Sequence, residues 1–317
     1  MRLIAYLVVL LTIVMTLSIK PVMSGDSPRQ VGMVIYLNAQ TDHYKLKRND
    51  QIYPVAVATI LEDKDVLSIE CGRSDKESKT EEISITLQLA EGEKHLTCKD
   101  SPYKIKSQYL TKENNAQIKI GNFLDWAGKV IATSLDSLQS KTYSAIVRGD
   151  NTHSHSQQSL PLYMPIICRA GGRMETGRSD LHLAWIGGYP PFKLRLTEAN
   201  GHRVLAEREE VEASSITLHR LDLLPDNYEL VITDAKGRTM KRHFQVVVQE
   251  SVPMPPHVDF TDIKDPPLAR LRETAYAAWL SDQNRGVWTL EAYQRVADIA
   301  PVYYPAELMR RKLADGL

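Results

Sequence analysis

Four short stretches carry residue types that could do chemistry, and each meets the needs of its reaction only in part. Arg148-Gly149-Asp150 spells an integrin-type tripeptide, a three-letter match that arises often by chance. His153 and His155 flank Ser154. Neutral imidazoles bind zinc or copper, but two histidines on a polar linker without a third ligand read as solvated side chains. Gly171-Gly172-Arg173-Met174-Glu175-Thr176-Gly177 is glycine-rich. It lacks the Lys-Ser/Thr of a phosphate-cradling loop and precedes a strand where such a loop needs a helix, so it reads as a plain loop. Glu209-Glu210 is a carboxylate pair in a charged, exposed strand edge. There is no G-x-S-x-G elbow, no H-E-x-x-H and no S-x-x-K with its partner motifs. No catalytic, cofactor-binding or metal-ligating residue is assigned, and the chain reads as non-catalytic.

Two further sets of residues point to structure and contacts. Cys71 and Cys98 each end an apolar strand, and in an oxidising compartment they form a candidate disulfide. Such a bridge contributes about 3 kcal/mol by constraining the unfolded chain. The alternative is a pair of buried free thiols. Cys168 follows Met164-Pro165-Ile166-Ile167 at an apolar strand start and reads as a buried thiol. No Cys-x-x-Cys or Cys/His spacing suggests zinc. Trp288, Tyr303 and Tyr304 make a candidate interaction patch if they are exposed together, since aromatic residues dominate interfaces. The competing expectation is that they seal the C-terminal helices.

The elements that would hold these residues begin with a leader. Arg2 precedes an apolar run from Leu3 to Ile19, followed by Lys20-Pro21-Val22-Met23-Ser24-Gly25. A positive charge, an apolar core and small residues before a turn are the grammar of a secretory signal. The run also sits at the short end of a transmembrane helix, which needs about 20 residues. The alternatives are a signal cut before Gly25, an uncleaved anchor over residues 3–19, and a buried helix. The first two place the rest of the chain outside the cytosol. No cysteine lies near the cut, which excludes a bacterial lipoprotein. Lys and Arg total 39 against 39 Asp and Glu, so the basic footprint of a nucleic-acid binder is absent.

Residues 26–147 read as a small β domain with one helix. Val31 to Leu37, Ile52 to Leu61, Val66 to Cys71 and Ile83 to Leu89 are strand-like, the last alternating as a half-buried strand does. Arg73 to Glu82 reads as a solvated hairpin loop. Within Ile118 to Leu138, Phe123, Trp126, Ala127, Val130, Ile131 and Leu135 recur at helical spacing. Residues 148–162 form a linker. Residues 163–250 alternate again, through Leu181-His182-Leu183, Phe192 to Leu196, the Asn200-Gly201 turn, Val211 to Leu224, Asn227 to Thr233 and His243 to Val248. Short strands with a Trp early and a Tyr late fit an immunoglobulin-like sandwich. A proline-punctuated connector covers 251–267. Residues 268–317 form a helical tail, with Thr289 as an N-cap, Pro305 opening the last helix and Arg310-Arg311-Lys312 at its end. The tail reads as a docking element or as one and a half helical hairpins.

Trp185-Ile186-Gly187-Gly188-Tyr189-Pro190-Pro191-Phe192 and Leu221-Asp222-Leu223-Leu224-Pro225-Asp226-Asn227-Tyr228-Glu229-Leu230 resemble extracytoplasmic immunoglobulin-like modules. Leu46-Lys47-Arg48-Asn49-Asp50-Gln51-Ile52 is similar to the turn of FecR-like periplasmic domains, with Asn49 where that turn carries Gly. The resemblance implies an envelope location and a binding or signalling role. The expected fold is mainly β with helical additions: a small N-terminal β domain, a central immunoglobulin-like β-sandwich, a C-terminal helical tail, and a signal or anchor helix. The expected partner is another envelope protein, with no cofactor, no nucleic acid, and membrane contact only through residues 3–19 if these are retained. Location is periplasmic after cleavage, or anchored in the inner membrane. The alternatives are a sensing module for a glycan or peptide and an unrecognised hydrolase.

Overall fold

The computed structural model describes residues 30–70, 82–89, 91–106, 121–135, 161–199, 201, 203–255 and 266–316. The leader, residues 73–81 of the Arg73 to Glu82 loop, Cys71, the Arg-Gly-Asp tripeptide and His153 and His155 fall outside these residues. Among the described residues no helix is long and apolar enough to cross a membrane. The described residues are mainly β, with fifteen strands and four helices.

The N-terminal part is a sandwich of two four-stranded antiparallel sheets. One runs β4(Ile60–Glu62)-β1(Gln30–Leu37)-β6(Ser84–Leu89)-β7(Gly92–Thr97). The other runs β3(Gln51–Pro54)-β2(Tyr44–Arg48)-β5(Val66–Ile69)-β8(Tyr103–Lys104). Val34, Leu46, Leu67, Ile85 and Leu87 fill the space between them. The Ile52 to Leu61 run is two strands, β3 and β4, parted by a turn in which Ala58 takes a positive φ. At the β2–β3 tip Asn49 and Asp50 both take a left-handed backbone.

Ile83 to Leu89 was expected to be half-buried, but β6 is covered on both faces, with Ser84 and Gln88 buried as fully as Ile85 and Leu87. A helical layer lies against β1 of the same sheet. Helix α1 (121–135) lays Phe123, Ala127, Ile131 and Leu135 against Met33, Ile35 and Ala58, and Gln30 Nε2 donates to Asp125 Oδ1 at 2.7 Å.

The second sandwich pairs a five-stranded sheet, β12(Val204–Val211)-β11(Phe192–Glu198)-β14(Asn227–Thr233)-β15(Thr239–Val247)-β9(Gly172–Glu175), with the ribbon β10(Leu181–Ala184)-β13(Ser215–Leu218). Two hallmarks mark it as immunoglobulin-like. Trp185 is buried edge-on to Phe192 at 5.3 Å. Tyr228, near the start of β14, donates its Oη to Leu224 O at 2.7 Å, four residues upstream. The glycine-rich stretch expected as a loop contributes β9, which adds in parallel to β15. Met164 to Cys168 is a turn after an isolated Tyr163–Ile186 bridge, and no strand begins there.

The C-terminal helices are α2 (Pro266–Ser281), α3 (Thr289–Ile299) and α4 (Tyr304–Asp315). Thr289 lies inside α3, and its hydroxyl donates to Gly286 O; Trp288 takes the N-cap position. Gly316 ends α4 with a left-handed backbone. The helices are packed on both sides. Arg270 of α2 pairs with Glu93 of β7 at 3.2 Å, Tyr304 of α4 meets Tyr36 of β1 edge-on at 5.0 Å, and α3 lies on β9 and β10. One apolar core runs from Met33 and Ile35 through the helices to Leu181, Leu194 and Tyr228.

Candidate functional site

Helix α3 meets the sandwich with a polar stripe. Glu291, Gln294, Arg295 and Asp298 recur at three- and four-residue steps, so they share one face. Gln294 Oε1 accepts from His182 N at 2.7 Å, and Gln294 Nε2 donates to His182 O at 2.8 Å. The side-chain amide thus pairs with the outer edge of β10 as a neighbouring strand would. Beside it, Glu291 Oε2 accepts from Glu175 N at 2.9 Å, and Val287 O accepts from Arg173 N at 2.8 Å. One helix and the turn before it therefore close the outer edges of β9 and β10, one from each sheet.

A charged network locks this junction. Glu291 is fully buried, and its Oε1 lies 3.0 Å from Arg178 Nη2 and 2.8 Å from Arg295 Nε. Arg295 also reaches Glu175 at 2.6 Å and Glu273 at 2.9 Å, and its guanidinium sits 4.5 Å over the Tyr276 ring. Burial raises the Glu175 carboxyl above its ordinary range, against the pull of Arg295. It also pushes Tyr276 up to about 12. A pocket of about 190 Å³ lies here, lined by Glu175, Glu273, Tyr276, Arg295 and Met254. Every charged group named is tied to an oppositely charged neighbour, as a structural network requires.

On the far side of Gln294 a larger groove opens, about 710 Å³. Its floor is the β10–β13 ribbon, through His182, Ser215, Ile216 and Thr217. Its wall is α3 and α4, through Tyr293, Ala297, Pro301, Glu307 and Arg310. Leu181 and Leu183 point into the sandwich, so His182 and Thr217, which pair across the ribbon, face the groove. His182 Nε2 lies 3.0 Å from Asp298 Oδ1, and Nδ1 lies 3.0 Å from Thr217 Oγ1. A carboxylate only accepts, so Nε2 carries the proton, and in the neutral ring Nδ1 accepts from the threonine hydroxyl. The hydrogen bond from His182 and the nearby Arg178 hold Asp298 below the usual carboxylate range, against partial burial. Glu307 accepts from Arg310 at 2.7 and 3.0 Å and from Arg311 at 2.6 Å. The ionisable side chains of this groove pair with one another, His182 with Asp298 and Glu307 with Arg310.

The residues singled out from the sequence lie elsewhere. Trp288, Tyr303 and Tyr304 do not form an exposed patch. Trp288 is buried with Val252, Tyr276 and Leu280, Tyr303 is buried in the main core, and half-buried Tyr304 packs on Tyr36. They sit where the helices meet the β layers, and burial of their large apolar surface outweighs leaving them in water. Cys98 is disulfide-bonded. It opens a 3₁₀ turn after β7, in the sheet opposite β5, so the strands ending near Cys71 and Cys98 are not neighbours in one sheet. The end of β5 is nevertheless close, because Ile69 N donates to Ser101 Oγ at 2.8 Å. Cys168 is a free, half-buried thiol donating to Gly171 O at 2.9 Å. Glu209 is exposed and paired with Lys193. Among the described residues no cluster of three or more His, Cys, Asp or Glu is placed to hold a metal ion. The residues that build the groove and junction, Gln294, Glu291, Asp298 and His182, were not picked out. Their signal was present as four polar residues on one face of an otherwise apolar helix.

No family model matches the chain, and no curated protein matches it. Among solved structures it is similar to a DUF3244 family protein with an immunoglobulin-like β-sandwich fold from Bacteroides vulgatus, at 22% identity over 22% of this chain and 77% of that one, with a TM-score of 0.19. It is also similar to CopC from Methylosinus trichosporium OB3b, at 16% identity over 26% of this chain and 89% of that one, with a TM-score of 0.20.

Proposed function

We propose that the chain is a non-catalytic, extracytoplasmic cell-envelope protein that binds or holds another envelope component in the groove between the β10–β13 ribbon and helices α3 and α4. The observation that carries this reading is the groove itself. It has the volume of a binding site, yet its ionisable side chains are spent in pairs, His182 with Asp298 and Arg310 with Glu307. Such a surface suits recognition better than proton transfer, which needs a group free to exchange its proton. The compartment is supported by the leader, Leu3 to Ile19, and by the disulfide at Cys98, which an oxidising environment preserves. A sensing module for a glycan or peptide is the second reading. For a glycan the groove lacks an exposed stacking ring, since Tyr293 in its wall is buried.

The test is affinity capture of C-terminally tagged full-length protein from crosslinked native membranes, beside the variant P301R. Pro301 is exposed and lines the groove, so the arginine narrows it without entering the core. A stoichiometric partner captured by the parent chain and lost with P301R supports the reading. No enriched partner, or one captured equally by P301R, contradicts it. The intact mass of the bait settles the leader: loss of residues 1–24 means a cleaved signal, full length an anchor.

A further inference from the structure

The sandwich has four sheet edges, and they are treated differently. Those of β9 and β10 are closed by α3 and the turn before it. That of β12 is open but guarded. Glu207, Arg208, Glu209 and Glu210 are all exposed, Glu210 has a positive φ, and the register against β11 shifts twice. Charge and bulges are how natural sheets prevent edge-to-edge pairing. The fourth edge, that of β13, has neither. Its residues are Ser215, Ile216, Thr217 and Leu218, with no charge and a regular register against β10.

The register also fixes which main-chain groups that edge offers. Residues facing each other in an antiparallel pair alternate between exchanging both hydrogen bonds and pointing both pairs of groups away. His182 turns its N–H and C=O outward to Gln294, so its partner Thr217 turns its own toward the free edge, and Ser215, opposite Ala184, does the same. Among the described residues no main-chain hydrogen bond involves Ser215 or Thr217 on that side. The two residues are two apart, so the donor–acceptor pairs repeat at roughly 7 Å, the repeat of an extended chain.

We propose that β13 accepts an extended segment of the partner as a third strand of the ribbon. The occupant is a linear peptide, held by main-chain hydrogen bonds to Ser215 and Thr217, with every second side chain on the groove face. This rests on the groove reading above and names its ligand class. Only a peptide backbone supplies alternating donors and acceptors at that repeat, and strand addition is an established mode of peptide capture. Because the charged lining is internally paired, selection falls on extended, uncharged sequence more than on net charge.

The test is a displayed library of random linear 12-residue peptides panned on the full chain, with affinities of enriched peptides measured for the parent, T217P, T217V and P301R. Proline removes an N–H that the ladder to β10 does not use and is tolerated at such an edge; valine removes the hydroxyl bonded to His182 but keeps the N–H. The expected result is enriched peptides that weaken about tenfold or more with T217P, as loss of a hydrogen bond at a docked strand implies, and stay within about threefold with T217V. Circular dichroism checks that T217P is folded, and S215P against S215A repeats the test if it is not. Peptides lost with P301R but indifferent to T217P and S215P overturn strand addition and leave the groove reading standing. Failure of any linear peptide to enrich also overturns strand addition, and the membrane capture experiment then judges the groove reading alone.

Discussion

Gln294 joins the helical layer to the sandwich through two hydrogen bonds to one residue's backbone. Removing its amide leaves the N–H and C=O of His182 without partners in a half-buried place, so Gln294→Ala is expected to cost about 2–3 kcal/mol in urea unfolding. Glu291 is the more expensive residue to lose. Its carboxylate is fully buried between Arg178 and Arg295, and Glu291→Ala strands two cations, at about 3–5 kcal/mol. Asp298 makes the junction sensitive to acid. Its carboxyl is depressed by the His182 hydrogen bond and by Arg178. A depressed carboxylate contributes stability above its unfolded value, about 3.9, and loses it as pH falls through the folded value. Glu175 is raised by burial and works in the opposite sense. The expected outcome is that Asp298→Asn lowers the melting temperature at pH 7 and flattens its fall below about pH 4, so that the two profiles converge in acid. An unchanged acid profile would show that the His182–Asp298 contact carries no weight.

At the scale of elements, close approach decides one outcome. A Cβ on Gly32 of β1 would fall 2.5 Å from Gln88 O and 2.6 Å from Leu89 Cδ2. Because a backbone oxygen cannot move aside cheaply, Gly32→Ala is expected to destabilise by about 1–3 kcal/mol, read from the unfolding midpoint. What the sequence revealed follows the same logic of local pattern. Helix α1 was legible because Phe123, Ala127, Ile131 and Leu135 keep a helical step, and β10, β11 and β14 because one face of each alternates toward the core. Strand β12 was legible only at Glu209-Glu210, read as a charged strand edge, since the charges that guard it erase the alternation over the rest of Val204–Val211. β9 was hidden because Gly172–Glu175 becomes a strand only through β15, far along the chain. The sites are harder still. Gln294 and His182 are 112 positions apart, and no local window joins them. The aromatic patch failed for the converse reason: Trp288 and Tyr303 look exposed beside short helices until a β layer is laid over them.

For the whole molecule, the helical layer is the part both sandwiches share. It packs on β1 and β7 on one side and closes β9 and β10 on the other. A chain ending at residue 255 would expose two sheet edges and an apolar face together, a combination that drives association. Its expected behaviour is oligomer or aggregate in sedimentation, where the full chain stays a discrete species. The groove exists only because α3 and α4 stand beside the ribbon, so the binding role depends on that closure.

Residue-resolved amide hydrogen exchange tests the closure most directly. The amides of His182 and Glu175 have their acceptors on the side chains of α3 alone, whereas Leu181 and Leu183 pair with Leu218 and Ile216 within the ribbon. The account predicts slow exchange at all four in the parent chain, with His182 alone becoming fast in Gln294→Ala while Leu181 and Leu183 stay protected. Fast exchange at His182 and Glu175 in the parent, or no change at His182 in the variant, would contradict it.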